Sequence, residues 1–159
     1  GDSRGTEIQR LIGRCLRAAV RMDRLGENTV TIDCDVLEAD GGTRTAAVTG
    51  GWVALAMALD AAADAGRCLR TALRRQIAAV SVGIVDGQAV QDLDYPEDAS
   101  AEVDMNVAGA TAGKLVELQA TGERGPFAPE HLDAMLRLAR RGIRAMLRAQ
   151  KDARKGYDA

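Results

Sequence analysis

Histidine is nearly missing from this 159-residue chain: His131 stands alone, with one Trp, two Tyr, one Phe, three Cys and three Pro. Each scarcity excludes something. A single histidine rules out metal sites built on several imidazoles. A Ser-His-Asp triad would have to use His131, which falls in the first turn of a helix-like segment and reads as a surface helix residue. So few aromatics leave the core to Ala, Leu, Val and Ile. Cys15, Cys34 and Cys68 are odd in number and lack metal-ligand spacing, so reduced thiols and a cytoplasmic location are expected. No apolar run approaches the ~20 residues of a membrane helix, and no signal-peptide pattern opens the sequence, so no membrane partner is expected. Nor does one sign of charge dominate: 21 Lys and Arg face 23 Asp and Glu, a net charge of −2. That balance argues against a surface coated in positive potential but leaves room for local basic stripes.

What is present is strongly patterned. In "TEIQRLIGRCLRAAVRMDRLG", Ile8, Leu11, Ile12, Cys15, Leu16, Ala19 and Val20 recur at helical spacing, Thr6 can cap the start, and Gly26 lies past the end. The opposite face carries Arg10, Arg14, Arg17, Arg21 and Arg24, a stripe that suits solvent, a subunit contact or RNA. "NTVTIDCDVLEAD" alternates, with Val30, Ile32, Cys34 and Val36 on one face, and reads as a strand. An alanine-rich helix follows to about Gly66. Gly50 and Gly51 inside it lower helix propensity and imply close packing. "IAAVSVGIVDGQAVQDLDY" reads as a hairpin turning at Asp86-Gly87, and "AEVDMNVAGA" joins "KLVELQA" through Thr111-Ala112-Gly113 in a second one. A last helix from about Ala128 to Lys151 buries Leu132, Met135, Leu136, Ala139, Ile143, Met146 and Leu147, with Arg137, Arg140, Arg141, Arg144 and Arg148 mostly outside that face. The expected order α-β-α-β-β-β-β-α, without internal repeat, predicts an α+β fold with helices packed on a mixed sheet. The length predicts one domain over 1–159.

Two constellations carry chemistry. Asp40-Gly41-Gly42-Thr43-Arg44-Thr45 stands where a strand-like segment meets a helix. A helix start leaves about four N–H groups unpaired and presents roughly half a positive charge. Glycines admit a close ligand, and arginine can fork two donors onto phosphate oxygens. The spacing is neither a Walker loop nor a dinucleotide fingerprint. It fits equally an anion site and a plain glycine turn with a capping threonine. The second constellation, "PEDASAEVDMN", places Glu97, Asp98, Glu102 and Asp104 within eight positions. Such acids can form a solvated acidic loop, or they can hold a hard divalent cation such as Mg²⁺ or Mn²⁺. Together, and without a usable histidine, cysteine or serine nucleophile, they point to phosphoryl or nucleotidyl transfer, where positioning and charge neutralisation do the work.

The segments "EIQRLIGRCLRAAV", "TIDCDVLEADGGTRTAAVTG", "AAVSVGIVDG", "DLDYPEDASAEVDMNV" and "LQATGERGPF" resemble the ribonuclease PH family of exoribonucleases, whose wider membership includes polynucleotide phosphorylase and exosome ring subunits. The resemblance runs over essentially the whole chain, and the pairing of "DCDVLEADGGTRTA" with "EDASAEVDMNV" is highly specific. It implies a ribonuclease PH-like βαβ domain that shortens the 3′ end of RNA, chiefly tRNA precursors. Inorganic phosphate is then the attacking group and nucleoside diphosphates are released. It further implies a phosphate site on Gly42, Thr43 and Arg44 with Arg4 as a second arginine, and metal-binding aspartates at Asp98 and Asp104 for Mg²⁺ or Mn²⁺. Asp98, Asp104 and Arg44 are the catalytic set so implied, in a cytoplasmic homohexameric ring built as a trimer of dimers. Ser3 and Gly5 flank Arg4 where the family usually has glycine and threonine. The family domain begins upstream of Gly1, so residues 1–159 are expected to lack its N-terminal part and to be inactive alone. The rival expectation is an inactive RNA-binding or architectural ring subunit. Retention of both the arginine and the aspartate sets argues against it.

Overall fold

The computed structural model describes residues 3–156, and side chains from Gly5 onward. Helix α1 (Ser3–Ala19) buries Leu11, Cys15, Leu16 and Ala19, and a single turn, α2 (Met22–Leu25), follows it. The chain then runs without regular structure to α3 (Thr43–Asp64). A 3-10 turn at Arg70–Ala72 leads to β1 (Ile77–Val85), β2 (Gln88–Gln91), α4 (Tyr95–Ser100), β3 (Val103–Ala110), β4 (Leu115–Gly122) and α5 (Pro129–Lys155). Asp86 and Gly87 both take positive φ, 49° and 73°, which is the tight turn that the twist of a two-residue hairpin favours.

The sheet order is β2-β1-β3-β4. The α+β architecture with helices packed on a sheet is as expected, but among the described residues the sheet is antiparallel in all three pairings and not mixed. Alternation along the strands divides the core in two. Val80, Val82, Ile84, Val103, Met105 and Val107 meet Met135, Ala139, Ile143 and Leu147 of α5. Ile77, Ala79, Ala108 and Ala110 turn the other way, toward Leu11, Cys15 and Leu16 of α1 and Val48, Trp52, Leu55 and Leu59 of α3. Because both faces are covered, β1 is buried along almost its whole length and shows no polar alternation. A buried amide pair locks the layers. Gln76 Nε2 donates to Leu147 O (2.6 Å) and Gln150 Oε1 (2.8 Å), while Gln150 Nε2 donates to Thr49 O (2.9 Å) and Ile77 O (2.8 Å).

Three further expectations are corrected. Residues 28–40 are not a strand among the described residues. Val30 and Ile32 do pack on the α1/α3 cluster, but Val36 and Leu37 are 53% and 93% exposed. Alternation reports which face is apolar; a strand also needs a hydrogen-bonded neighbour, and the described residues supply none. Gly51 is the helical glycine that needs closeness, with Leu16, Ile32 and Cys34 around the position of its missing side chain, whereas Gly50 has open space. The expectation that no segment reaches membrane-span length fails for α3. Its 22 residues contain an 18-residue window of mean hydropathy 1.5, long and apolar enough by length and composition, because alanines raise hydropathy without large side chains. In the fold, Thr45, Val48, Gly51, Trp52, Leu55, Ala56 and Leu59 of this helix are buried.

Candidate functional site

The face of the sheet beneath α3 changes character along its length. The register pairs Ile77 with Ala110, Ala79 with Ala108, Ser81 with Asn106 and Gly83 with Asp104. Apolar pairs therefore underlie the body of the helix, and polar ones lie at its N-terminal end. Thr49 fixes this alignment: its Oγ1 accepts from Ala79 N (3.0 Å) and donates to Ala79 O (3.2 Å).

At that end stands the glycine turn. Gly42 is the N-cap of α3, left-handed at φ 60°, and no side chain caps the helix. The free N–H groups of the first turn therefore stay available, as an anion site requires. Thr45 Oγ1 instead donates back to Gly42 O (2.9 Å). Gly41, at φ 77°, backs onto the next loop: a Cβ there would lie 2.2 Å from Leu93 O. Asp40 ties the same turn down, its Oδ1 accepting from Tyr95 N at 3.0 Å. The paired glycines are thus a packing and conformational requirement that leaves the helix start open. Thr43 and Arg44 open the helix, both half-buried.

The four clustered acids separate into two jobs. "PEDAS" is not an acidic loop but the helix α4. Asp94 Oδ1 accepts from Glu97 N (2.9 Å), and Glu97 Oε2 accepts from Asp94 N (3.1 Å) in a capping box. Glu102 Oε1 accepts from Gly87 N (2.8 Å). Glu97 and Glu102 therefore serve the backbone, leaving exposed Asp98 on α4 and half-buried Asp104 on β3. Burial pushes the Asp104 carboxyl above the ordinary carboxylate range, the negative charges of Asp98 and Glu123 push the same way, and Arg44 opposes them. Electrostatically, then, Arg44, Asp98 and Asp104 meet although they come from α3, α4 and β3. Glu123 is a member the sequence reading missed. It follows β4 directly, and its N–H donates to Glu102 O at 2.9 Å; a glutamate one step past a strand end carries no motif signal.

Among the described residues no group of three Asp, Glu, Cys or His side chains is arranged to hold a metal. Two carboxylates suffice for Mg²⁺, which keeps several waters and takes substrate phosphate oxygens as further ligands. Asp104, half-buried and facing the negative charges of Asp98 and Glu123, makes that donor set fit a hard divalent ion. Arg4 lies in the first turn of α1, and its side chain is outside the described residues. One turn on, Glu7 Oε1 accepts from Gln119 Nε2 (2.9 Å), and Gln119 pairs with Asn106, so the start of α1 reaches the polar end of the sheet. All three cysteines are free, and burial pushes the Cys15 thiol up to about 11.

The α+β fold, with α1 and α3 on one face of a four-stranded antiparallel sheet and α5 on the other, is similar to that of solved exosome cores. The archaeal exosome core aligns with TM-score 0.70 at 16% identity, over 94% of this chain and 64% of that one. The Archaeoglobus fulgidus exosome with RNA bound to the active site aligns with TM-score 0.63 at 15% identity, over 98% and 62%. The chain belongs to the 3′ exoribonuclease family: the family's domain 1 matches residues 1–59 and its domain 2 residues 75–142. It is 53% identical over 152 residues to Ribonuclease PH of Parasynechococcus marenigrum (strain WH8102), covering 96% of this chain and 61% of that protein. Ribonuclease PH of Synechococcus sp. (strain CC9605) is likewise 53% identical over 152 residues, with 96% and 62% covered. The chain thus spans about three fifths of the length of these relatives.

Proposed function

We propose that the protein is a phosphate-dependent 3′→5′ exoribonuclease that trims the 3′ end of tRNA precursors and releases nucleoside diphosphates. The observation that carries this reading is the uncapped, glycine-opened start of α3, with Arg44 acting on the same carboxyl, Asp104, as Asp98 does. Inorganic phosphate is already an oxyanion at neutral pH, so the site needs no general base to create its nucleophile. In this reading Gly42, Thr43 and Arg44, with Arg4, hold the phosphate by backbone N–H groups, a hydroxyl and guanidinium forks. A phosphate oxygen attacks the phosphorus of the last phosphodiester, and the bond to the 3′ oxygen of the preceding nucleotide breaks. The attacking phosphate becomes the β-phosphate of the released diphosphate, and the shortened RNA takes up a proton as its new 3′ hydroxyl. Asp98 and Asp104 would hold Mg²⁺ or Mn²⁺, which supplies charge neutralisation at the scissile phosphate. The chain's own contribution is alignment of anion and phosphodiester in a fixed site.

The family relation and the 53% identity to two Ribonuclease PH proteins support this reading over an inactive ring subunit. We further propose a cytoplasmic homohexameric ring, a trimer of dimers. Its support is the exposed apolar side chains Leu115 and Leu118 on β4, an edge strand of the sheet, together with the exposed arginine stripes of α1 and α5. The test is Arg44→Ala in the full-length protein. Loss of charge-assisted hydrogen bonds worth ~1.5–3 kcal/mol each should raise the phosphate concentration for half-saturation at least ~10-fold, with RNA binding in phosphate-free buffer nearly unchanged. Collapse of RNA binding with phosphate dependence intact would overturn the assignment.

A further inference from the structure

Beneath the glycine turn lies a hydroxyl that none of the interactions above uses. Ser81 stands on β1 in the row facing α3, between Ala79 and Gly83, and is 5% exposed. Its Oγ has no hydrogen-bond partner among the described residues. Buried hydroxyls are nearly always paired, since an unpaired one is left with its full desolvation penalty. Packing alone does not call for serine at this position. Ala79 and Gly83 flank it in the same row, and an alanine would fill the space without the penalty.

The direction of the hydroxyl supplies the reason. At Gly42, the position where a side chain would begin has Ser81 Oγ as its nearest neighbour, at 3.4 Å, followed by Thr45 Oγ1 at 3.7 Å and Asp92 Oδ1 at 3.9 Å. Ser81 therefore points from the sheet into the turn that caps α3. Thr45 already donates to Gly42 O, and Asp92 is held through its N–H on Ser81 O (2.9 Å). Ser81 Oγ is left as the unspent donor at the open helix start.

We propose that Ser81 Oγ is a phosphate ligand, donating a hydrogen bond to an oxygen of the inorganic phosphate held by Gly42, Thr43 and Arg44. This rests on the reading of that turn as the phosphate site. Helix N–H groups and Arg44 grip the anion from α3, and Ser81 adds a donor from the sheet. Two independent elements then fix which oxygen is left free to attack.

The experiment compares full-length wild type, Ser81→Ala and Ser81→Cys, the last keeping volume but not a strong donor. Thermal melting is followed against added inorganic phosphate, and RNA shortening against phosphate and RNA separately. Both variants should need roughly 5–10-fold more phosphate for half-saturation, with RNA half-saturation unchanged. In phosphate-free buffer Ser81→Ala should melt no lower than wild type, because an unpaired buried hydroxyl has been removed. Unchanged phosphate response in Ser81→Ala overturns the proposal, and a lower phosphate-free melting temperature with that response intact marks a structural hydroxyl instead. A wild type that responds to phosphate in neither assay overturns the phosphate site and Ser81's role with it; failure confined to the variants overturns Ser81's role alone.

Discussion

Gly41→Ala tests whether the glycine turn is built as described. The new methyl carbon would start 2.2 Å from the carbonyl oxygen of Leu93, so one backbone segment must retreat by the better part of an ångström. The side chain would also sit at φ 77°, where an L-residue loses ~1–2 kcal/mol. Crowding of this kind adds ~1–3 kcal/mol, for a total loss of roughly 2–5 kcal/mol. In a chain of this size that is a fall of about 4–20 °C in melting temperature. Gly50→Ala is the internal control. Its added methyl meets open space inside α3, and it should gain ~0.5–1 kcal/mol from helix propensity alone. Urea unfolding followed by circular dichroism measures both. Because the displaced carbonyl belongs to the loop leading into α4, Gly41→Ala should also weaken phosphate saturation, and Gly50→Ala should not. Equal stabilities for the two variants would refute the packing argument.

Asp98→Asn and Asp104→Asn should each remove most RNA shortening while leaving the fold intact, and undiminished activity in EDTA would contradict the metal role. The sign of the Asp104 shift adds a second readout. The folded state holds this proton to a higher pH than the unfolded state, so ionised Asp104 opposes folding at neutral pH, and the opposition fades as pH falls through the folded value. Metal-free Asp104→Asn should therefore melt no lower than wild type at pH 7. For Cys15, an unfolded thiol ionises near ~8.5 while the folded one holds its proton to about 11, so stability should fall as pH rises across that window and be unaffected by this group below it. At pH 8 a thiol-alkylating reagent should label exposed Cys34 first and Cys15 only on unfolding; equal rates would contradict the burial.

Much of this was legible in the residues, and the failures have physical causes. Both hairpins were readable because Asp86, Gly87 and Gly113 adopt the positive φ that Asp and Gly announce, although Ala112 takes it at 62° without such a signal. The helical faces of α1 and α5 were readable because a 3.6-residue period leaves a stripe. The strand expected over residues 28–40 misled because alternation reports a half-buried surface and not a hydrogen-bonded partner. Four acids within eight positions looked alike in sequence; the capping box and the Gly87 contact, visible only once α4 and the first hairpin fold, separate Glu97 and Glu102 from Asp98 and Asp104. Gln150 and Ser81 were invisible for another reason. Their importance lies in buried hydrogen bonding, made in one case and unmade in the other, which no periodicity encodes.

The central claim is that inorganic phosphate is the attacking group, and it is tested most directly by following the phosphorus. Full-length protein, a 3′-extended tRNA precursor and isotopically labelled inorganic phosphate are incubated with Mg²⁺, and the released nucleotides are separated. The label should appear in the β-phosphate of nucleoside diphosphates, one for each nucleotide removed, with no shortening when phosphate is withheld. Unlabelled nucleoside monophosphates, released equally well without phosphate, would contradict the account.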